Sequence, residues 1–340
     1  MLGWELVVKQ RILGQGLTVS AIGMGCMTLT EQNYGPVDEV ESERTLLAAI
    51  DAGVTLLDSG ETYGRDHSNE KLLGRVLKAR RDEVVLCTKF GLTYDITSGS
   101  MVVDGDPRKI RISCEGSLQR LQTDHIDIYY QHRVDTRYPV EDVWGVLKEL
   151  VDEGKIRHLG LSEPGIETLR AAHAIHPVTA VQNEYSLFTR DPEAELRPVL
   201  DELGIGLVCF APLGRGLLSG RVRSPDDWAP DDFRRRLPRY QGENFVKNLE
   251  LVDKVHEIAR AKGATPAQLA LAWILSRGDG IVPIPGMETR TLLAENTAAA
   301  NIEISADELA QIEAVIPGGA VGSRYGSYAE LTKAETVTSA

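Results

Sequence analysis

The stretch Leu56-Leu57-Asp58-Ser59-Gly60-Glu61-Thr62-Tyr63-Gly64 is a short apolar run that stops at an acid, with a tyrosine five residues later between Thr62 and Gly64. Its continuous apolar character suits a strand covered on both faces. An acid at the end of such a strand, with a tyrosine on the loop beyond it, is one way to build a site at the rim of a parallel β/α barrel. The pair takes its meaning from what the following strands supply.

Working outward, runs of the same kind recur: Ala21–Gly25, Thr55–Asp58, Val84–Lys89, Ile126–Tyr130, Ile156–Leu161, Ala180–Asn183, Gly206–Phe210 and Ile281–Ile284, eight in all. Between them lie segments of helical periodicity, among them Glu43–Ala52, Asn69–Lys78, Arg108–Leu121, Val140–Glu153, Glu167–Ile175, Pro192–Leu203 and Pro266–Ser276. Thr265-Pro266 is a cap followed by proline at the first helical position. Eight strand–helix units in 340 residues imply an α/β fold, a (β/α)8 TIM barrel forming one domain over 1–340. Three pieces fall outside the repeat. Residues 8–22 read as a β-hairpin plug at the N-terminus, and 215–243 as a long polar connection of the kind that is usually functional. Ala306–Val315 reads as an extra C-terminal helix, followed by a loosely ordered tail over 317–340.

The formal net charge of -13 argues against a nucleic-acid binder or a polybasic membrane-surface protein, while leaving room for a local basic pocket. No apolar run approaches the ~20 residues of a membrane helix. The N-terminus shows no basic segment leading into a long apolar stretch, so a cytoplasmic location is expected. Cys26, Cys87, Cys114 and Cys209 are widely spaced, with no C-x-x-C, and read as buried thiols in a reducing compartment.

Asp58, Lys89 and His132 stand at or just beyond the ends of the second, third and fourth runs. In a parallel barrel all strand C-termini share one face, so the three side chains converge there with Tyr63 leaning over them. Taken singly, each has a structural explanation: a helix cap, a solvated strand end, a core histidine, a packing ring. Together they make a proton-transfer set. No cluster with zinc-ligand spacing accompanies them, and no metal is expected.

These residues, with the hairpin, Gly23-Met24-Gly25, Gln131-His132, Gly160-Leu161-Ser162, Val181-Gln182, Ala211-Pro212-Leu213-Gly214, Ile284-Pro285-Gly286 and Glu295-Asn296, resemble the aldo-keto reductase superfamily over about residues 10–315. Residues 214–248 look most like its microbial, fungal and plant perakine-reductase-type branch. The resemblance implies carbonyl reduction by a catalytic tetrad of Tyr63, Asp58, Lys89 and His132. A phenol with a pKa near ~10 is a reluctant acid at neutral pH. The Lys89 ammonium would favour its anion, Asp58 would hold Lys89 charged, and His132 would orient the carbonyl.

The resemblance also implies a nicotinamide cofactor, NADPH with NADH as the alternative. Ser162 and Gln182 would hold the carboxamide beside Glu163, and Phe210 would stack on the ring, with Gly25, Met27 and Asp58 nearby. Ala211, Pro212, Leu213, Gly214, Arg215 and Gly216 would wrap the pyrophosphate, with Arg221 adding charge. A dinucleotide fingerprint is not the basis for this, since Ser219 stands where the third glycine is required. Gly286, Met287, Glu288, Arg290, Glu295 and Asn296, on the last β/α loop, would meet the adenosine end. There Glu288 opposes a 2′-phosphate and Arg290 favours one. Met27, Tyr63, His132 and Arg133 are the candidates for substrate contact, with Tyr94 and Trp228 near the mouth. The expected partner is a small-molecule aldehyde or ketone, with no nucleic acid and no membrane; a homo-oligomer is left open. The second reading is a nicotinamide-binding regulatory or sensor subunit whose catalysis is slow or incidental.

Overall fold

A ring of eight parallel strands organises the chain, whose computed structural model describes residues 9–31, 34–95, 100–326 and 334–335. An antiparallel hairpin of β1 (Gln10–Ile12) and β2 (Thr18–Ser20) comes first. The ring and its helices follow as β3 (Met24–Gly25), α1 (Glu39–Asp51), β4 (Leu56–Asp58), α2 (Ser68–Leu77) and β5 (Val85–Phe90). A second hairpin, β6 (Leu92–Asp95) and β7 (Ser100–Val103), interrupts the alternation before α3 (Pro107–Leu121). Then come β8 (Ile126–Gln131), α4 (Val140–Asp152), β9 (Ile156–Ser162), α5 (Ile166–Ile175), β10 (Val178–Glu184), α6 (Leu196–Leu203) and β11 (Gly206–Phe210). The chain continues with α7 (Gly242–Ala261), α8 (Pro266–Leu275), β12 (Ile281–Pro283), α9 (Arg290–Ala298) and α10 (Ala306–Val315). The sheet runs β12-β11-β10-β9-β8-β5-β4-β3, and a parallel bridge between Gly25 and Gly286 joins its two ends.

All eight apolar runs overlap strands of this (β/α)8 fold. Their two-sided burial follows from two cores. Leu56, Cys87, Ile128, Tyr130, Ala180, Val208 and Val282 fill the interior of the ring. Alternate residues such as Leu57, Leu86, Tyr129 and Leu159 pack outward against the helices, where Trp144 and Trp273 are also fully buried. Each such side chain withdrawn from water contributes ~1.5–3 kcal/mol. Leu13 and Val19 of the first hairpin join the interior cluster, and Arg11 donates to the carbonyls of Leu275 and Ile281 at 2.6 and 2.8 Å. The hairpin therefore sits at the strands' N-terminal end.

The helix ends show why local sequence marked them. Asp38 caps α1 and starts it earlier than periodicity alone suggested, Asp106 caps α3, and Thr265 forms a capping box with Gln268 on α8. Three features differ from the sequence reading. The β6–β7 hairpin was not anticipated. Residues read as the last β/α loop are helical from Arg290, because Thr289 accepts the amide of Leu292 and starts α9. The described part of the tail is packed: Asn248 brackets Val321, accepting its N–H at 2.8 Å and donating to its carbonyl at 3.0 Å. Residues 327–333 and 336–340 of that tail, and residue 8 of the hairpin, lie outside the described residues. Among the described residues no helix is long and apolar enough to cross a membrane.

Candidate active site

Asp58 closes β4, Lys89 is the penultimate residue of β5, His132 follows β8, and Ser162 closes β9, so the parallel ring delivers all four to one rim. A cavity of about 1470 Å³ opens there, lined by Asp58, Tyr63, His132 and Ser162. Lys89 lies beneath it, fully buried.

The lysine is fixed from two sides. Its ammonium donates to Asp58 Oδ2 at 2.6 Å and to the Ser59 carbonyl at 2.5 Å. The other Asp58 oxygen accepts from Gln182 Nε2 at 2.7 Å. The ammonium lies 4.7 Å from the centre of the Tyr63 ring, and the His132 ring meets that ring edge-on at 5.7 Å. The loop carrying Tyr63 is held by main-chain bonds, Glu61 N–H to the Lys89 carbonyl and Asn69 N–H to the Tyr63 carbonyl, each at 3.2 Å. Gly64 turns it with φ at +72°, where a Cβ would lie 2.1 Å from Ser68 Oγ, so only glycine fits.

The electrostatics sharpen the expected roles. Burial raises the Tyr63 phenol above its ordinary value, and Lys89 opposes that rise without cancelling it. Lys89 therefore acts in the expected direction, but the net shift is upward, because loss of hydration outweighs the ammonium. Burial lowers Lys89 itself, yet Asp58 and Tyr63 more than offset this and keep it charged. Burial, then Lys89 and Arg133, holds His132 well below the ordinary histidine value, so its imidazole is neutral. Among the described residues His132 Nδ1 is buried without a hydrogen-bond partner.

Gly25, Met27, Gln182 and Phe210 line the same cavity, as do Arg133, Ala211, Pro212, Leu213, Arg215 and Gly216. Arg221, Gly286, Glu288 and Asn296 line its far side. Ala211 and Arg215 hold left-handed backbone at φ +48° and +52°. Five of the expected contacts stand elsewhere. Met287 is fully buried in the outer core. Gly214 lies under the cavity wall, its carbonyl accepting from Tyr240 at 3.0 Å. Arg290 pairs with Glu41 of α1 at 3.0 Å, and Glu295 pairs with Arg221. The Glu163 carboxylate faces Arg133 at 3.3 Å and is bonded by Arg324. Trp228 is buried against Tyr240 and Phe245, and the side chain of Tyr94 lies outside the described residues.

The cavity also has walls that pattern reading missed. Tyr325 of the tail lines it, donated to by Arg215 Nη2 at 2.8 Å. On the opposite side Glu61 lines it with Ser113 and Lys109 of α3. Burial, then the neighbouring Glu70, pushes the Glu61 carboxyl up to about 7. Only the placement of Glu61 beside Tyr63 could have flagged it; the tail carries no periodic signal at all.

Among the described residues Asn296 Oδ1 is buried without a partner while its residue lines the cavity, and Arg215, Arg221, Arg234 and Arg236 also line it, the first three paired with Glu184, Glu295 and Asp232. The arrangement can therefore take an elongated anion beside a buried lysine–phenol pair.

A sequence profile of the Aldo/keto reductase family matches residues 21–317. The aldo-keto reductase yakc of Schizosaccharomyces pombe, whose name specifies NADP(+), is 45% identical over 314 residues, covering 91% of this chain and 92% of its own. The glycerol dehydrogenase of Gluconobacter oxydans superposes with a TM-score of 0.83 at 25% identity, over 93% of this chain and 97% of that one. An aldo/keto reductase of Klebsiella pneumoniae, solved with NADP and acetate, has a TM-score of 0.70 at 29% identity, over 94% and 99%. With the strand ends, the cavity and these likenesses in agreement, the chain belongs to the aldo/keto reductase family.

Proposed function

We propose that this chain reduces an aldehyde or ketone to the alcohol with NADPH, NADH being the weaker alternative, and that Tyr63 donates the proton. The observation that carries this is the buried Asp58–Lys89 ion pair set against the Tyr63 ring, with His132 at its edge. The unpartnered Asn296 oxygen and the arginines lining the cavity fit a dinucleotide, and the NADP(+)-named and NADP-bound relatives support the choice. When bound, NADPH supplies the hydride.

The chain's own residues do the rest. A carbonyl oxygen placed between Tyr63 and His132 gains negative charge as it is reduced, and the phenol O–H stabilises and then protonates it. The Lys89 ammonium steadies the phenolate left behind, and Asp58 keeps that ammonium charged. The neutral imidazole of His132 offers a hydrogen bond without competing as an acid. Met27 and Arg133 would border the substrate, and Ser162 and Gln182 the carboxamide. We take the whole chain as one barrel domain and its location as cytoplasmic.

The test is NADPH binding followed by a panel of aldehydes and ketones read at the nicotinamide absorbance. Turnover that disappears in Tyr63→Phe while NADPH binding persists is expected. Tight NADPH binding with no carbonyl reduced by the wild-type protein would instead favour the sensor reading.

A further inference from the structure

Around Glu163 and Glu184 lies an ionic network that the tetrad does not use. Glu184 faces Arg215 at 3.2 Å and Arg239 at 3.3 Å and accepts from Thr189 Oγ1 at 2.7 Å. Glu163 is bonded by Arg324 and faces Arg133 at 3.3 Å. Arg133 in turn donates to Ser162 Oγ at 2.9 Å and to the His132 carbonyl at 2.7 Å. Both carboxylates and all these guanidiniums are nearly or wholly enclosed, with side chains at most 12% exposed.

The tail enters this network at two depths. Its root is tied to the barrel by Asn248 on both polar atoms of Val321 and by Arg239 on the Gly322 carbonyl at 3.1 Å. Further along, Arg324 and Tyr325 reach Glu163 after β9 and Arg215 after β11, and beyond them Ala334 and Glu335 tie the tail again, accepting the N–H groups of Gly165 at 3.0 Å and Thr168 at 2.7 Å. Within the root, Gly322 holds φ +88°, a conformation that other residues rarely adopt. Arg324 and Tyr325 thus join the two loops that, under the reading above, hold the two halves of the cofactor.

We propose that Arg324 and Tyr325 form a latch that retains the bound nicotinamide cofactor, with Arg324 a positioning residue acting through Glu163. The inference rests on the functional reading above. Glu163 is the catch: Arg324 holds it beside Arg133, which lines the cavity and donates to Ser162 Oγ, while Tyr325 lines the cavity and accepts from Arg215. A cofactor lying along Ser162 and Arg215 is released faster when the ties of Arg324 and Tyr325 to these two loops are cut.

The experiment measures NADPH release by stopped-flow fluorescence in the full-length protein, alongside equilibrium binding and thermal unfolding. Arg324→Met should release NADPH roughly tenfold faster or more, whereas Arg324→Lys restores part of the retention. In a Glu163→Gln background the same Arg324→Met change should add nothing, because the catch is already gone. Tyr325→Phe, which removes one hydroxyl and is the milder test, should speed release several-fold. Equal release rates in wild type, Arg324→Met and Tyr325→Phe overturn the latch alone, with the functional reading intact. An undiminished Arg324→Met effect in the Glu163→Gln background overturns the action through Glu163. Wild-type protein that binds no NADPH overturns the functional reading and the latch together.

Discussion

Replacing Lys89 by Met isolates the electrostatic part of the proposed proton transfer. The lysine nitrogen lies 4.7 Å from the centre of the Tyr63 ring. At that separation and an effective dielectric constant of ~20, a unit charge favours a phenolate by about 3.5 kcal/mol. That corresponds to ~2.6 pKa units and, if fully expressed in the transition state, to a rate loss of roughly 400-fold. Burial already holds the phenol above its ordinary value, so removing the ammonium raises it further. The alkaline limb of the pH–rate profile, where a proton-donating phenol ionises, should therefore move to higher pH as kcat/KM falls. The same substitution strands the Asp58 carboxylate, which among the described residues keeps only the 2.7 Å bond from Gln182. Breaking one side of a buried pair costs ~3–5 kcal/mol of stability. An Asp58→Asn, Lys89→Met double variant should recover the melting temperature but not the rate. Steady-state kinetics across pH, NADPH fluorescence and calorimetry make the measurement. A folded Lys89→Met protein within about fivefold of wild-type kcat/KM, or an alkaline limb that stays put, would refute the reasoning.

Other residues offer independent checks. The Glu61 carboxyl, raised to about 7, makes a favourable contribution that is complete below its ordinary titration range and lost as pH rises through about 7. Glu61→Gln should therefore match wild type in thermal unfolding below about pH 4 and exceed it near pH 8, by up to about 3 kcal/mol; identical pH profiles would contradict the burial argument. Glu288 lines the cavity while Arg290 is engaged by Glu41. Glu288→Lys should improve the NADPH-to-NADH ratio of dissociation constants roughly fivefold, and an unchanged ratio would place the 2′-phosphate elsewhere. Gln182→Leu removes the donor to Asp58 Oδ1 and should cost about 1–3 kcal/mol in chemical denaturation.

The eight strands were legible because each is a local run of apolar residues. The tetrad candidates were legible because a parallel ring turns strand ends into neighbours: Asp58, Lys89 and His132 are far apart in sequence but occupy equivalent positions in successive units. Capping chemistry was equally local, as at Thr265 and Gln268. The β6–β7 hairpin and α9 escaped because short elements on the rim answer to caps and neighbours more than to periodicity.

What local sequence could not carry is the pairing of charges across the rim. Nothing near Glu163 foretells Arg324, 161 residues on, nor does the surrounding of Arg290 foretell Glu41, 249 residues away. These contacts depend on how the tail, the loops and α1 fold over the strand ends. So does the net upward shift of Tyr63, a balance of burial against one ammonium that only packing decides. By itself the sequence determined the ring and the kinds of side chain at its mouth, because hydrophobic pattern and strand polarity are properties of short segments. The tertiary structure decided which of those side chains face the cavity, which are neutralised and what closes over them, because burial and charge pairing are set by distant parts of the chain.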